Sequence, residues 1–228
     1  MNKKVVYTAI FGNKDTLKDP LYKNDDFDYI CYTDNPSNSS KVWDIIVVEP
    51  KFKDPVRCAR AIKTKPHELF EKYDLSIWVD ANFLICGDLN KFLTMFGDGA
   101  NLLTFQHDQG RDCIYDEAQA VIDLKKDDPE VVKNQMKKYS EENFPRNLGL
   151  TTTSVLVRRH NEKDMVELGK LWWEQIENHS RRDQLSFYYC KWRLETKMYM
   201  LKFPNYNIRS NNWFRWLPHN YETQAWRF

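Results

Sequence analysis

The chain has 228 residues, the size of one compact α/β domain with a buried core. Lys plus Arg number 34 against 33 Asp plus Glu, and a net charge of +1 excludes a dedicated nucleic-acid binder, which concentrates a basic excess on one face. Seven Gly and nine Pro exclude a collagenous or low-complexity chain, and no apolar run approaches the roughly 18 residues of a membrane span.

Strand-like runs dominate the first half. Val5–Phe11, Tyr29–Thr33 and Trp43–Glu49 are β-branched and aromatic, with turn residues between them. Asp54-Pro55 then reads as a cap followed by Pro at the first helical position, opening a helix to about Tyr73. Pro66 inside that stretch predicts a kink or two helices. Ser76–Ile85 reads as one buried strand interrupted by the polar step Asp80-Ala81-Asn82. A short helix near Asp88–Phe96, a strand at Asn101–Gln106 and helices near Tyr115–Lys126 and Pro129–Tyr139 follow. Thr151–Arg158 reads as a strand, Glu162–Glu177 as an amphipathic helix and Asp183–Leu194 as another helix. Strands alternating with helices predict an α/β fold, a mixed or parallel sheet covered on both faces, with ligands beyond the carboxyl ends of its strands.

Aromatic residues reach 14%, and their flat faces suit sugar rings and bases, although most belong to a core. The five cysteines are widely spaced and never form a CxxC pair, which predicts reduced thiols in a cytoplasmic protein. The N-terminus lacks an apolar h-region, so no signal peptide is expected. No GxGxxG, GxxxxGK[ST], GxSxG or HExxH occurs, which removes the main support for dehydrogenase, P-loop, serine hydrolase and zincin readings.

Four constellations remain. Asp80 ends an apolar stretch, where a carboxylate needs pairing or a metal. With Asn82 two residues on, it offers two hard oxygens to Mn²⁺ or Mg²⁺; the rival reading is an Asx-type turn. Arg57, Arg60, Lys63 and Lys65 recur at helical spacing and read as either a diphosphate grip or a solvated helix face. His107–Glu117 packs His107, Arg111 and several carboxylates directly after a strand, where active-site loops and ordinary polar loops both occur. Asp183, after Arg181 and Arg182, is either a plain helix cap or a functional carboxylate.

The motifs YTAIFGNKD, DYICYTDN, the R-x-x-R-x-x-K of Arg57, Arg60 and Lys63, SIWVDAN, RDCIYDEA, NLGLTTTSVLVRRHN and SRRDQLSFYY occur in an order that resembles a glycosyltransferase-like family. That family was long catalogued as a domain of unknown function. It includes plant Golgi proteins linked to mucilage and pectin, with bacterial and viral members, and the first domain of a chlorella-virus capsid glycosyltransferase is similar. The resemblance implies a single GT-A-like domain over residues 1–228, with a nucleotide-binding half to about residue 100 and an acceptor-side half and tail beyond it. By resemblance, Thr8, Ala9, Phe11, Thr33 and Asp34 line the nucleoside pocket. Arg57, Arg60, Lys63 and Asp80 approach the ribose or diphosphate, and Asp80, Asn82 and His219 hold a Mn²⁺ or Mg²⁺ ion. Gly149, Leu150, Thr151 and Arg182 face the acceptor or sugar, while Asp183, Gln184, His107 and Arg111 carry the chemistry. Asn82 departs from the second Asp of a D-x-D motif. The implied donor is a UDP-sugar and the acceptor a glycan or glycoprotein, with no nucleic acid and no membrane span. The chain is expected in the cytoplasm (host cytoplasm if viral), within a larger multidomain enzyme in some settings. The alternative is a catalytically silent carbohydrate-binding or scaffold domain of the same fold.

Overall fold

A computed structural model describes residues 3–97, 99–108, 110–202 and 205–219. The chain enters through β1 (Lys4–Ile10), β2 (Phe27–Thr33) and β3 (Asp44–Val47), which pair in parallel. Helix α1 (Pro55–Thr64) starts on the side chain of Asp54, which accepts a hydrogen bond from the Val56 amide at 2.9 Å. Such a cap is worth about 1 kcal/mol. Pro66 divides the predicted long helix, because proline cannot donate to the preceding turn, and α2 (Pro66–Leu69) is a separate single turn.

The stretch expected as one interrupted strand is two strands in two sheets. β4 (Leu75–Val79) joins β1 in the main sheet, while β5 (Phe83–Ile85) leaves it after the turn closed by the Phe83 amide on the Asp80 carbonyl. The polar step is therefore the corner between sheets, not a break within one.

Helix α3 (Leu89–Phe96), β6 (Leu102–Phe105), α4 (Ile114–Asp123) and α5 (Pro129–Glu141) follow, then β7 (Val155–Arg158), α6 (Lys163–Asn178) and α7 (Asp183–Arg193). The predicted strand at Thr151–Arg158 begins later, because Thr153 takes a left-handed φ of 53° and interrupts regular pairing. Two short strands escaped the sequence reading, β8 (Tyr199–Leu201) and β9 (Phe214–Trp216). Three residues are too few to show a period.

The main sheet has the order β3-β2-β1-β4-β7-β6-β8, and β7 is antiparallel to both neighbours while the other pairs are parallel. Successive side chains point to opposite faces, and both faces are buried. Val5, Tyr7, Ala9 and Trp78 meet α1 and α4–α7 on one side. Val6, Ile10, Ile77 and Val79 meet α3 and the β5–β9 pair on the other. No helix among the described residues is long and apolar enough to cross a membrane. All five cysteines are free.

Burial lowers the pKa of four histidines, His67, His107, His160 and His179. His160 is 1% exposed and donates its Nε2 proton to the Phe70 carbonyl at 2.9 Å. A lowered folded-state pKa means that the unfolded chain takes up protons first as pH falls. The stability these groups confer is thus complete above about pH 6.5 and declines below it. The urea midpoint is expected to fall between neutral pH and about pH 5.5, and less so in His160→Gln; a midpoint that rises on acidification would contradict this.

Candidate active site

A cavity of about 220 Å³ opens at the carboxyl ends of β1, β4 and β6 and the amino end of antiparallel β7. Alternation on β4 sets its floor. Trp78 and Asp80 lie two residues apart on the face that carries α1, and the Trp78 indole donates to Asp80 Oδ1 at 2.7 Å. Three residues apart on α1, Arg60 and Lys63 reach toward the same carboxylate, Arg60 Nη1 at 3.3 Å and Lys63 Nζ at 3.5 Å from Asp80 Oδ1.

The first residue of α7 completes the cluster. Lys63 Nζ is 2.5 Å from Asp183 Oδ2, and Arg60 Nε is 3.1 Å from Asp183 Oδ1. The Thr153 hydroxyl accepts from Lys63 at 3.2 Å and donates to Asp183 at 3.0 Å. Lys63 and Asp183 are 0% and 1% exposed, so this pair is fully desolvated. Beneath it, Tyr7 and Arg158 both donate to the Lys63 carbonyl, at 2.9 and 2.7 Å, which fixes the end of α1. Burial alone would raise the pKa of Asp183, but Arg60, Lys63 and Arg182 hold it well below the carboxylate range. Asp183 is not a helix cap: Arg182 occupies that position and no side chain caps α7. Nor does the Asp80 side chain make an Asx turn, since its partners among the described residues are Trp78, Arg60 and Lys63.

The loop before β7 places other groups. Gly149 has φ +115°, and a Cβ there would stand 2.8 Å from the Tyr188 hydroxyl. The next two residues use their carbonyls: Leu150 accepts from the His107 amide at 2.9 Å, and Thr151 from Gln184 Nε2 at 3.1 Å. Gly149→Ala is therefore expected to cost about 1–3 kcal/mol in urea unfolding; an unchanged midpoint would show that the loop yields freely. Thr153 at φ 53° is a β-branched residue held in a strained conformation by its two buried partners.

Ala9, Phe11, Arg60, Asp80, Asn82, His107, Arg111, Arg182, Asp183, Gln184 and His219 all line the cavity. Lys63 lies directly beneath. Other expected residues stand away from it. The Arg57 guanidinium donates to the carbonyls of Ile176 and His179, closing the end of α6, so it is not part of a diphosphate grip. Thr8 and Thr33 are buried, Thr33 serving the turn at Asn35, and Asp34 accepts the Gly12 amide at 3.0 Å, which shapes the loop after β1. Gly149, Leu150 and Thr151 act through backbone. Glu117 and Thr153 come from segments the sequence singles out, whereas Lys14, Trp78, Lys126 and Arg209 were not expected at the site. Lys14 had a signal, its place in the loop after the first strand. The rest are brought in by tertiary folding.

On the α4 side, Arg111 Nε is 2.7 Å from Glu117, which also stands 3.6 Å from His107 Nε2. Arg209 pairs with Asp108. On the opposite rim His219 turns Nδ1 toward the Asp15 carboxylate, at 3.0 and 3.1 Å. A carboxylate on one ring nitrogen leaves the other nitrogen as a lone-pair donor, the usual support of a metal-bound imidazole. Asp80 Oδ2, the Asn82 amide and His219 Nε2 have no hydrogen-bond partner among the described residues. No three His, Cys, Asp or Glu cluster as a ligand set among those residues. One carboxylate, one amide and one imidazole lining one cavity are nonetheless donors of the kind that divalent ions accept alongside phosphate and water.

An α/β sheet with its cavity at this end is the general frame of a ligand site beyond the strand ends. The chain belongs to the TOD1/MUCI70 glycosyltransferase-like domain family, whose model matches residues 1–213. No curated protein matches it. Among solved structures it is similar to a glycosyltransferase involved in the glycosylation of the major capsid of PBCV-1, at 13% identity and TM-score 0.42, covering 70% of this chain and 66% of that one. It is also similar to the WbbM bifunctional glycosyltransferase in its apo structure, at 11% identity and TM-score 0.47, covering 88% of this chain and 38% of that one. Both similarities are distant, and the family assignment stands on the match over residues 1–213.

Proposed function

We propose that the protein transfers a sugar from a nucleoside-diphosphate sugar, a UDP-sugar by the resemblance, to a hydroxyl of a glycan or glycoprotein acceptor in the cytoplasm. The observation that carries this reading is the meeting of Asp80 and Asp183, from β4 and α7, across Arg60 and Lys63 in one cavity at the carboxyl ends of the sheet. In such a transfer the bond from the anomeric carbon to the diphosphate oxygen breaks, the acceptor oxygen bonds to that carbon, and the acceptor proton departs.

Asp183 is suited to the positive charge that builds on the anomeric carbon. A carboxylate held ionised far below neutral pH is a weak base but a fixed negative charge in a dry site. His107 is the group for the acceptor proton: burial lowers its pKa, so the ring is neutral near pH 7, and Glu117 at 3.6 Å can stabilise the imidazolium that forms. Arg111 orients Glu117, and Gln184, tied to the Thr151 carbonyl, meets sugar hydroxyls. Ala9 and Phe11 offer the nucleoside an apolar wall.

Asp80, Asn82 and His219 would hold Mn²⁺ or Mg²⁺, which when bound supplies charge neutralisation at the leaving diphosphate. Asn82→Asp is expected to tighten Mn²⁺ binding in calorimetry, because it adds a charged ligand. Asp15→Ala is expected to weaken it by about 10–100-fold through loss of the imidazole's support. Equal affinity in both variants would remove these residues from the metal site.

A thermal-shift screen of nucleoside diphosphates and nucleotide sugars, with and without Mn²⁺, tests the reading, since binding to the native state alone raises Tm. A nucleoside diphosphate should raise Tm in the parent and not in Asp80→Ala. A shift with glycans and none with any nucleotide would overturn the proposal in favour of a silent carbohydrate-binding domain.

A further inference from the structure

The charges around the cavity do not cancel locally, and the residue of that cancellation has a position. Arg60 and Lys63 are balanced by Asp80 and Asp183, two positive charges against two negative. Arg111 is balanced by Glu117 and Arg209 by Asp108, while Asp15 faces His219. Three cations that line the cavity remain without an ion pair among the described residues: Lys14 after β1, Lys126 after α4, and Arg182 at the start of α7. Arg182 is the most buried of the three. Its Nε is buried with no hydrogen-bond partner, a costly state for a charged group unless a ligand fills it.

The two lysines line the same cavity, Lys14 from the loop after β1 and Lys126 from the segment after α4. Partial burial lowers the pKa of each, and Arg182 is among the positive neighbours that push both further down. Lys14 also feels Arg60, and Lys126 feels Arg111 and Arg209. Like charges gathered beside a cavity in a chain of net charge +1 are a standing repulsion that an oxyanion would relieve.

We infer that Arg182, together with Lys14 and Lys126, takes the diphosphate of the donor. The inference rests on the transferase reading and changes its residue assignment. The diphosphate is held by these three unpaired cations, whereas Arg60 and Lys63, already neutralised, shape Asp80 and Asp183. A planar guanidinium presents two parallel donors to phosphate oxygens, and two ammonium groups add charge without demanding geometry. Three positive charges match the two or three negative charges of a nucleoside diphosphate, which a single carboxylate of an acidic sugar would not.

Calorimetric titration of the full chain with inorganic pyrophosphate in EDTA isolates the cations from any metal. The parent should bind. Arg182→Gln should weaken binding by about tenfold to a hundredfold, the range for a charged hydrogen bond. Lys14→Ala and Lys126→Ala should each weaken it by roughly threefold to tenfold; both are exposed, so their variants should fold even if the Arg182 variant does not. Lys133→Ala, on an exposed stretch of α5 and paired with Glu130, should bind as the parent does. Pyrophosphate binding that is unchanged in all three cavity variants, or absent in the parent, overturns the clamp. If the parent nevertheless consumes a nucleotide sugar, the clamp alone has failed. If it neither binds pyrophosphate nor consumes any donor, the transferase reading fails with it.

Discussion

Asp183→Ala is expected to lower the free energy of unfolding by about 3–5 kcal/mol, the scale for breaking a buried ion pair by removing one partner. Asp183 and Lys63 are almost wholly removed from water, so deleting the carboxylate leaves an ammonium whose remaining anion, Asp80, is 3.5 Å away and already shared with Arg60. Asp183→Asn should cost less, because the amide still accepts a hydrogen bond. The decisive comparison is the double variant Lys63→Met with Asp183→Leu, which removes both charges and leaves Arg60 and Asp80 as a pair. Replacing a buried pair by apolar groups of similar volume is often neutral or stabilising. Urea unfolding should therefore show the double variant regaining most of what Asp183→Ala loses, while both remain inactive. A double variant no more stable than the single one would mean that the pair matters for packing and not for charge. The sign of the pH effect follows from the same geometry. The folded-state pKa of Asp183 lies below its ordinary value, so the stability it confers is complete above about pH 4 and is lost as pH falls from there.

The second large effect is expected at Asp80. Its carboxylate side chain is 20% exposed and faces the cavity, so its removal should disturb the fold less than removal of Asp183. Under the proposed chemistry it should remove several kcal/mol of charge stabilisation at the leaving group, a loss of roughly a hundredfold to a thousandfold in turnover. Asp80→Ala should therefore separate activity from stability, as the double variant at Lys63 and Asp183 does and as Asp183→Ala alone does not. Turnover within a few-fold of the parent would remove Asp80 from the mechanism.

Much of this architecture can be read from local patterns. The caps Asp54, Asp88 and Asp128 announce α1, α3 and α5, because a side chain that satisfies the first amides is a local device. Pro66 marks its helix break for the same reason. Apolar runs locate β1, β2 and β4, and the polar step after β4 locates Asp80. What local pattern cannot carry is partner choice. Arg57, Arg60 and Lys63 share one helix face in sequence, yet α6 claims Arg57 with its terminal carbonyls and the two carboxylates claim the others. Asp183 resembles a cap in sequence because capping and ion pairing use the same side chain, and only its distant partners Lys63, 120 residues away, and Arg60 distinguish them. Thr153 gives no warning of its left-handed backbone, since nothing in TTTS disfavours a strand. Lys14 and Lys126 are ordinary surface residues until folding gathers them beside one cavity, and Arg182 is expected there by resemblance but on the sugar.

The central claim is that this cavity breaks the glycosidic bond of a nucleotide sugar with Asp183 as a fixed negative charge. Release of nucleoside diphosphate from a panel of nucleotide sugars, UDP-sugars first, in the presence of Mn²⁺, tests it most directly when parent and Asp183→Asn are compared at equal folded fraction. The account predicts release by the parent and release at least about a hundredfold slower by the Asn variant, which keeps the shape and loses the charge. Release from no donor, or equal rates in the two proteins, would contradict it.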